Sequence, residues 1–65
     1  MENNLTREEK VSLVNSKINT CIIMQENLET YVLEETNLGV VKEYQDSIEE
    51  YKSIINALKA FKEIC

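Results

Sequence analysis

Apolar residues recur along this chain at alternating spacings of three and four residues, first between positions 11 and 32 and again between positions 41 and 58. This is the heptad pattern of α-helices that pack along one stripe, formed by positions a and d of each repeat. With Val11 at position a, the first stripe contains Val11, Val14, Ile18, Cys21, Gln25, Leu28 and Val32. The second contains Val41, Tyr44, Ile48, Tyr51, Ile55, Leu58, Lys62 and Cys65. The pattern predicts two long helices that bury these stripes.

The start of the first helix carries a recognisable signal. Thr6 and Glu9 have the spacing of a capping box, in which each side chain accepts a hydrogen bond from the backbone amide of the other residue. No proline or glycine interrupts the following segment. We therefore expect the first helix to cover about residues 6–36.

A break is expected over residues 34–39, which contain the only glycine of the chain. Asn37 is expected to adopt the left-handed conformation that ends many helices, which would bring Leu38 back against Leu33. Gly39 would then begin the second helix, which covers about residues 40–64. One continuous helix is the alternative, because a single glycine costs only about 1 kcal/mol inside a helix.

Folding the chain at this break predicts an all-α, two-helix antiparallel hairpin (about 6–36 and 40–64). In this arrangement Gln25, the polar residue of the first stripe, lies level with Tyr51. A buried amide is costly when it is unpaired and nearly neutral when it bonds a hydroxyl group. The match supports the hairpin and predicts that this pair helps to fix its register.

The 65 residues form one predicted domain, 1–65. Below roughly 70–80 residues a single core seldom supplies more than a few kcal/mol without disulfides, a metal or oligomerisation. Cys21 and Cys65 lie about 15 Å apart along the predicted hairpin, too far for a disulfide within it. We therefore expect two hairpins to dimerise into a four-helix bundle. The architecture resembles that of small dimeric helical hairpins that assemble into such bundles.

Several apolar residues fall outside the two stripes. Ile22, Ile23 and Met24 are consecutive, and Ile23 occupies position f, which faces away from the seam between the helices. Such a run indicates a second packing surface, for a second copy or for another protein. Scattered surface residues are the alternative. An apolar stripe also follows position g of the second helix, formed by Val40, Ile54 and Phe61.

The formal charge of −5 at pH 7 is unevenly distributed. Residues 26–50 contain eight carboxylates and one lysine, whereas residues 51–65 have a net charge of +2. Direct binding to nucleic acid or to a membrane is not expected, because both require Lys and Arg contacts to phosphates. The acidic segment is either solvated or binds a basic partner. The candidate residues for partner binding are Ile22, Ile23, Met24, Glu43, Asp46, Glu49 and Glu50.

The sequence offers no candidate residues for catalysis, cofactor binding or metal binding. It contains no histidine, so its serines and cysteines lack a base to activate them as nucleophiles. Helical dimetal sites combine glutamates with histidines, and calcium sites need an oxygen-ligand loop. Cys21 is expected to be a core residue and Cys65 a terminal thiol, with an intermolecular disulfide as the alternative. We expect no enzyme activity and no small-molecule substrate.

These observations predict a small non-enzymatic helical module that self-associates as a homodimer and binds an unidentified protein, as a regulator, inhibitor or adaptor. The alternatives are an acidic nucleic-acid mimic that occupies a basic cleft and a structural subunit of a larger assembly. The first residues lack the features of a signal peptide, and no run is long enough to span a membrane, so a cytoplasmic location is expected. The uneven charge favours an antiparallel dimer.

Overall fold

A computed structural model describes residues 5–64 of the chain. Within them two α-helices, α1 (Arg7–Glu34) and α2 (Leu38–Ile64), are joined by the three residues 35–37. The helices pack against each other as a hairpin that measures 48 × 22 × 15 Å. The predicted all-α antiparallel hairpin is confirmed, and the alternative of one continuous helix is wrong.

The interface between α1 and α2 consists of the two heptad stripes. Four stripe residues, Ile18, Cys21, Ile48 and Ile55, are buried, with between 4% and 7% of their surface exposed. The remaining stripe residues among positions 5–64 are half-buried, namely Val11, Val14, Gln25, Leu28, Val32, Val41, Tyr44, Tyr51, Leu58 and Lys62. Cys65, assigned to the second stripe, lies outside the described residues. The heptad pattern therefore identified the seam correctly.

Two contacts across the seam fix the register of the hairpin. The Lys62 Nζ donates a hydrogen bond of 2.9 Å to the Asn15 side-chain oxygen, and these residue numbers add up to 77. The rings of Tyr31 and Tyr44, whose numbers add up to 75, have centroids 6.0 Å apart. Residues at the same height along the hairpin thus have numbers that add up to about 76.

The predicted Gln25–Tyr51 pair does not set this register. Both residues are half-buried, and no hydrogen bond between the described side chains joins them. Tyr51 instead packs against the cluster of Ile18, Cys21 and Ile55. Gln25 and Tyr51 each keep part of their surface in water, so water can hydrogen-bond to their polar groups. The register of the two helices is therefore set by the packing of the apolar stripes.

The connection between the helices differs from the predicted one. The chain leaves α1 at Glu35 in an extended conformation, with φ −83° and ψ 133°, rather than through a left-handed residue at Asn37. No residue from 5 to 64 has a positive φ. Leu33 and Leu38, which were expected to pack on each other, are 86% and 82% exposed. Both the left-handed helix end and this apolar contact were wrong predictions.

Asn37, and not Gly39, caps the start of α2. The Asn37 side-chain oxygen accepts hydrogen bonds from the amides of Gly39 at 2.9 Å and Val40 at 3.4 Å. Asparagine is the stronger N-cap because its side chain supplies an acceptor that glycine lacks. Glu35 completes the turn, because its Oε1 accepts from the amides of Thr36 and Asn37 at 3.2 and 3.0 Å. The helix therefore begins two residues earlier than predicted.

Replacing Asn37 by alanine is expected to lower the free energy of unfolding by about 1 kcal/mol, because two backbone amides lose their acceptor. Asn37→Asp is the matched control, since its carboxylate can accept from the same amides. Urea unfolding followed by far-UV circular dichroism measures both variants. If the two variants lose equal free energy of unfolding, or if Asn37→Ala loses none, the Asn37 side chain does not stabilise the hairpin by capping α2.

The predicted capping box at the start of α1 is confirmed. The Glu9 amide donates to the Thr6 hydroxyl oxygen at 3.1 Å, and the Thr6 amide donates to a Glu9 carboxylate oxygen at 3.0 Å. The hydrogen bond from the Thr6 backbone, followed by that from its side chain, holds the pKa of Glu9 below its ordinary value. The carboxylate interaction is therefore present at neutral pH and is lost as the pH falls through this lowered pKa.

Candidate functional surfaces

The two broad sides of the hairpin are lined by different heptad positions. Because positions a and d of antiparallel helices face the seam, positions g of both helices flank one side and positions e flank the other. Lys10 and Phe61, both at position g, line one groove of about 330 Å³. This groove lies at the end of the hairpin opposite the turn, which is termed the open end. Glu29, Gln45 and Lys52, all at position e, line a second groove nearer the turn. The grooves confirm that each side gathers one position from both helices.

The side flanked by position g, termed the apolar side, carries most of the exposed large apolar residues. Ten large apolar residues from 5 to 64 are exposed, and six of them lie at position g or at the adjoining position c. These six are Leu13, Met24, Tyr31, Ile54, Phe61 and Ile64, with exposed fractions from 42% to 83%. Val40, also at position g, is half-buried. The apolar side thus carries exposed apolar residues near the open end, at the middle and near the turn of the hairpin.

The three consecutive apolar residues predicted to bind a partner point in different directions. Successive residues of an α-helix are rotated by about 100°. Met24 lies at position g on the apolar side, Ile22 at position e on the opposite side, and Ile23 at position f, away from α2. Their exposed fractions are 44%, 36% and 56%. All three lie off the seam, as predicted, but the structure does not bring them together on one surface.

The four acidic residues predicted to bind a partner also divide between surfaces. Glu43 and Glu50 are at position c, next to the apolar side, and Glu49 is at position b, next to the opposite side. Asp46, at position f, lines a groove together with Glu49. All four are exposed. The structure therefore brings Asp46 and Glu49 together and leaves Glu43 and Glu50 on another surface. The turn end of the hairpin, which carries these acidic residues, is termed the acidic end.

A shallow groove of about 460 Å³ lies on the side flanked by position e and is termed the acidic groove. It is lined mainly by Glu29, Asp46, Glu49 and Lys52 above Val32 and Ile48. The Lys52 Nζ lies 3.8 Å from a Glu49 carboxylate oxygen, and both side chains are largely exposed. An exposed pair of this kind contributes less than about 1 kcal/mol. No cluster of His, Cys, Asp or Glu among positions 5–64 has the arrangement of a metal site.

Cys21 is a free thiol in the centre of the seam, where 4% of its surface is exposed. It packs with Ile18 and Ile55 in the core cluster. The predicted structural role of Cys21 as a small core residue agrees with this packing. The expectation for Cys65 lies outside the described residues.

No known protein family matches this chain, and no characterised protein or solved structure shows significant similarity to it. Across residues 5–64, neither helix has an apolar stretch of the length that crossing a bilayer requires.

Sequence reasoning identified the position g stripe of α2 but did not join it to Met24 and Tyr31 of α1. The signal was available in the heptad positions of the two helices. The apolar side and the acidic end are the features of the hairpin that bear on its function.

Proposed function

We propose that this chain is a small non-enzymatic helical module that self-associates and acts by binding a protein partner, as a regulator, inhibitor or adaptor. The observation that carries the proposal is the apolar side. Only four side chains from 5 to 64 are buried, whereas ten large apolar side chains are exposed. A core of this size supplies only a few kcal/mol, and burial of further apolar surface between chains adds stability.

Self-association is tested by sedimentation equilibrium of the free chain at micromolar concentration. The proposal predicts a mass of about 15 kDa, twice that of the 7.6 kDa chain. The melting temperature should also rise with protein concentration, because dissociation accompanies unfolding. A folded chain that sediments at 7.6 kDa throughout this range would contradict self-association.

A second candidate function is that of an acidic nucleic-acid mimic that binds a basic cleft. It is favoured by the net charge of −7 over residues 26–50, where eight carboxylates face one lysine. Seven of these carboxylate residues are exposed, and Glu35 is half-buried. A surface of this kind offers a basic protein the charge density of a phosphate backbone. The proposed location for either function is the cytoplasm, where the free thiol of Cys21 remains reduced.

The two functions predict different responses of partner capture to salt and to substitution. The test immobilises the chain on beads and compares wild type, Ile23→Glu and a variant in which Glu43, Asp46, Glu49 and Glu50 are replaced by their amides. Apolar packing of the partner against Ile23, which lies away from the apolar side, predicts capture that survives about 0.5 M salt and is lost in Ile23→Glu. Charge mimicry predicts capture that is lost in that salt and in the amide variant.

A further inference from the structure

We propose that the apolar side binds a second copy of this chain in antiparallel orientation, with the two-fold axis near Met24 and Ile54. The proposal rests on the self-association proposed above and identifies its surface and geometry. In this dimer the acidic turn of each hairpin lies beside the open end of its partner. The observations that support it are the apolar side, the register of the hairpin and the position of the charges at its edges.

The apolar residues on this side match those of an antiparallel copy. Since residue numbers at one height add up to about 76, Ile54 lies level with residue 22, close to Met24 and to the middle of the hairpin. An axis at that height places these two residues against their equivalents in the other copy. Tyr31 then lies opposite the height of residue 13, where Leu13, Phe61 and Ile64 are clustered. Tyr31 of each copy is thus at the height of the apolar cluster at the open end of the other copy.

The charges that border the apolar side are complementary under the same rotation. Two lysines at position g, Lys10 and Lys17, lie near the open end, and three glutamates at position c, Glu34, Glu43 and Glu50, lie near the turn. All five side chains are exposed.

The two-fold axis brings each lysine to the height of a partner glutamate. Lys10 lies opposite Glu34, because this rotation packs α1 of one copy against α1 of the other. Lys17 comes to the height of Glu50, which lies in α2. A parallel dimer would place lysines beside lysines and glutamates beside glutamates, which is unfavourable. The charges thus select the antiparallel orientation.

The available area is sufficient for a stable dimer. A standard protein interface buries about 800 Å² on each partner, and the broad side of the hairpin measures 48 × 22 Å. Exposed ion pairs contribute little to affinity, so the burial of the apolar residues must hold the dimer together. This separation of roles allows the surface and the orientation to be tested independently.

The surface is tested with Phe61→Glu on the apolar side and Ile23→Glu at position f as the matched control. Both substitutions put the same charge on a partly exposed helical position, with 43% and 56% of the original side chain exposed. Phe61→Glu should weaken the dimer by at least about 100-fold, because each interface receives two buried charges. Ile23→Glu should leave the dimer unchanged. Sedimentation equilibrium measures dissociation, and far-UV circular dichroism verifies that both variants remain helical.

The orientation is tested by a charge exchange that does not depend on the fate of Phe61→Glu. Lys10→Glu should weaken the dimer about fivefold at low salt, because two ion pairs are lost and two repulsions appear. Adding Glu34→Lys to the same chain should restore the affinity. Lys59→Glu, at position e on the opposite side, makes the same change of charge and should have no such effect.

These outcomes separate the proposal from the function on which it rests. A monomeric wild-type chain would overturn self-association itself. A dimeric wild type that dissociates with Ile23→Glu, but not with Phe61→Glu, would retain self-association and overturn the apolar side as its surface. A Lys10→Glu effect that Glu34→Lys fails to reverse would overturn the antiparallel register. Selective loss with Phe61→Glu, together with rescue by the exchange, would support the proposal in full.

Discussion

Ile55→Ala is expected to leave most of the chain unfolded under conditions where the wild type is helical. Ile55 is 6% exposed and packs in the core cluster with Ile18 and Cys21. Removing a buried isoleucine side chain costs about 2–5 kcal/mol, through lost burial and the cavity left behind. A single core in a chain of this size supplies only a few kcal/mol. One substitution therefore removes a large part of the total stability.

Leu33→Ala is the matched control for this experiment. Leu33 lies in α1 and is 86% exposed, so the change removes almost no burial and places a good helix former on the surface. Its free energy of unfolding should equal that of the wild type to within about 0.5 kcal/mol. Urea titration followed by far-UV circular dichroism measures both. An Ile55→Ala variant that unfolds at the wild-type urea concentration would show that the heptad seam does not hold the hairpin together.

Tyr44→Ala is expected to lower the free energy of unfolding by about 2 kcal/mol. The Tyr44 ring is half-buried in the seam near the turn, and its centroid lies 6.0 Å from that of Tyr31 at an interplanar angle of 40°. The truncation removes both the seam packing and a tilted ring contact, which is itself worth about 0.5–1.5 kcal/mol. The effect is smaller than that of Ile55→Ala because part of the Tyr44 surface is already in water.

Tyr44→Leu distinguishes the two contributions, because leucine keeps apolar bulk in the seam but makes no ring contact. It should lose about 1 kcal/mol, and a double-mutant cycle with Tyr31→Ala should assign that loss to the ring pair. Thermal and urea unfolding provide the measurements. If Tyr44→Leu is as unstable as Tyr44→Ala, the seam packing of this residue is unimportant.

The sequence was sufficient to predict the hairpin because burial follows the heptad stripes closely. Ile18, Cys21, Ile48 and Ile55 are buried where positions a and d predict, and the register follows from these stripes. The capping box was also predictable, because it depends on two side chains three residues apart in the chain.

The turn was less predictable because several polar side chains compete to cap its backbone amides. Gly39 was interpreted as a helix start, but the side-chain oxygen of Asn37 is the better acceptor and moves that start to Leu38. The role of Glu35, which accepts from two amides of the turn, has no comparable sequence signal. Choices of this kind depend on differences of about 1 kcal/mol between alternative caps.

The candidate surfaces were predicted only in part, because a surface depends on how two helices are placed together. Ile22, Ile23 and Met24 are adjacent in the chain but lie on three different parts of the hairpin. Met24 and Ile54 are distant in the chain but share the apolar side. If that side binds a second copy, Ile23 and the acidic groove remain exposed in the proposed dimer. They are then the surfaces left for a protein partner.

The distance between the turns of two associated hairpins tests the proposed antiparallel dimer most directly. A spin label at Thr36→Cys, an exposed position in the connection, marks the turn when Cys21 is replaced by alanine and Cys65 by serine. The antiparallel dimer predicts an interspin distance of about 40 Å, because the two turns lie at opposite ends of helices of 28 and 27 residues. A distance below about 20 Å, less than half the length of either helix, would place the acidic turns together and contradict the proposed arrangement.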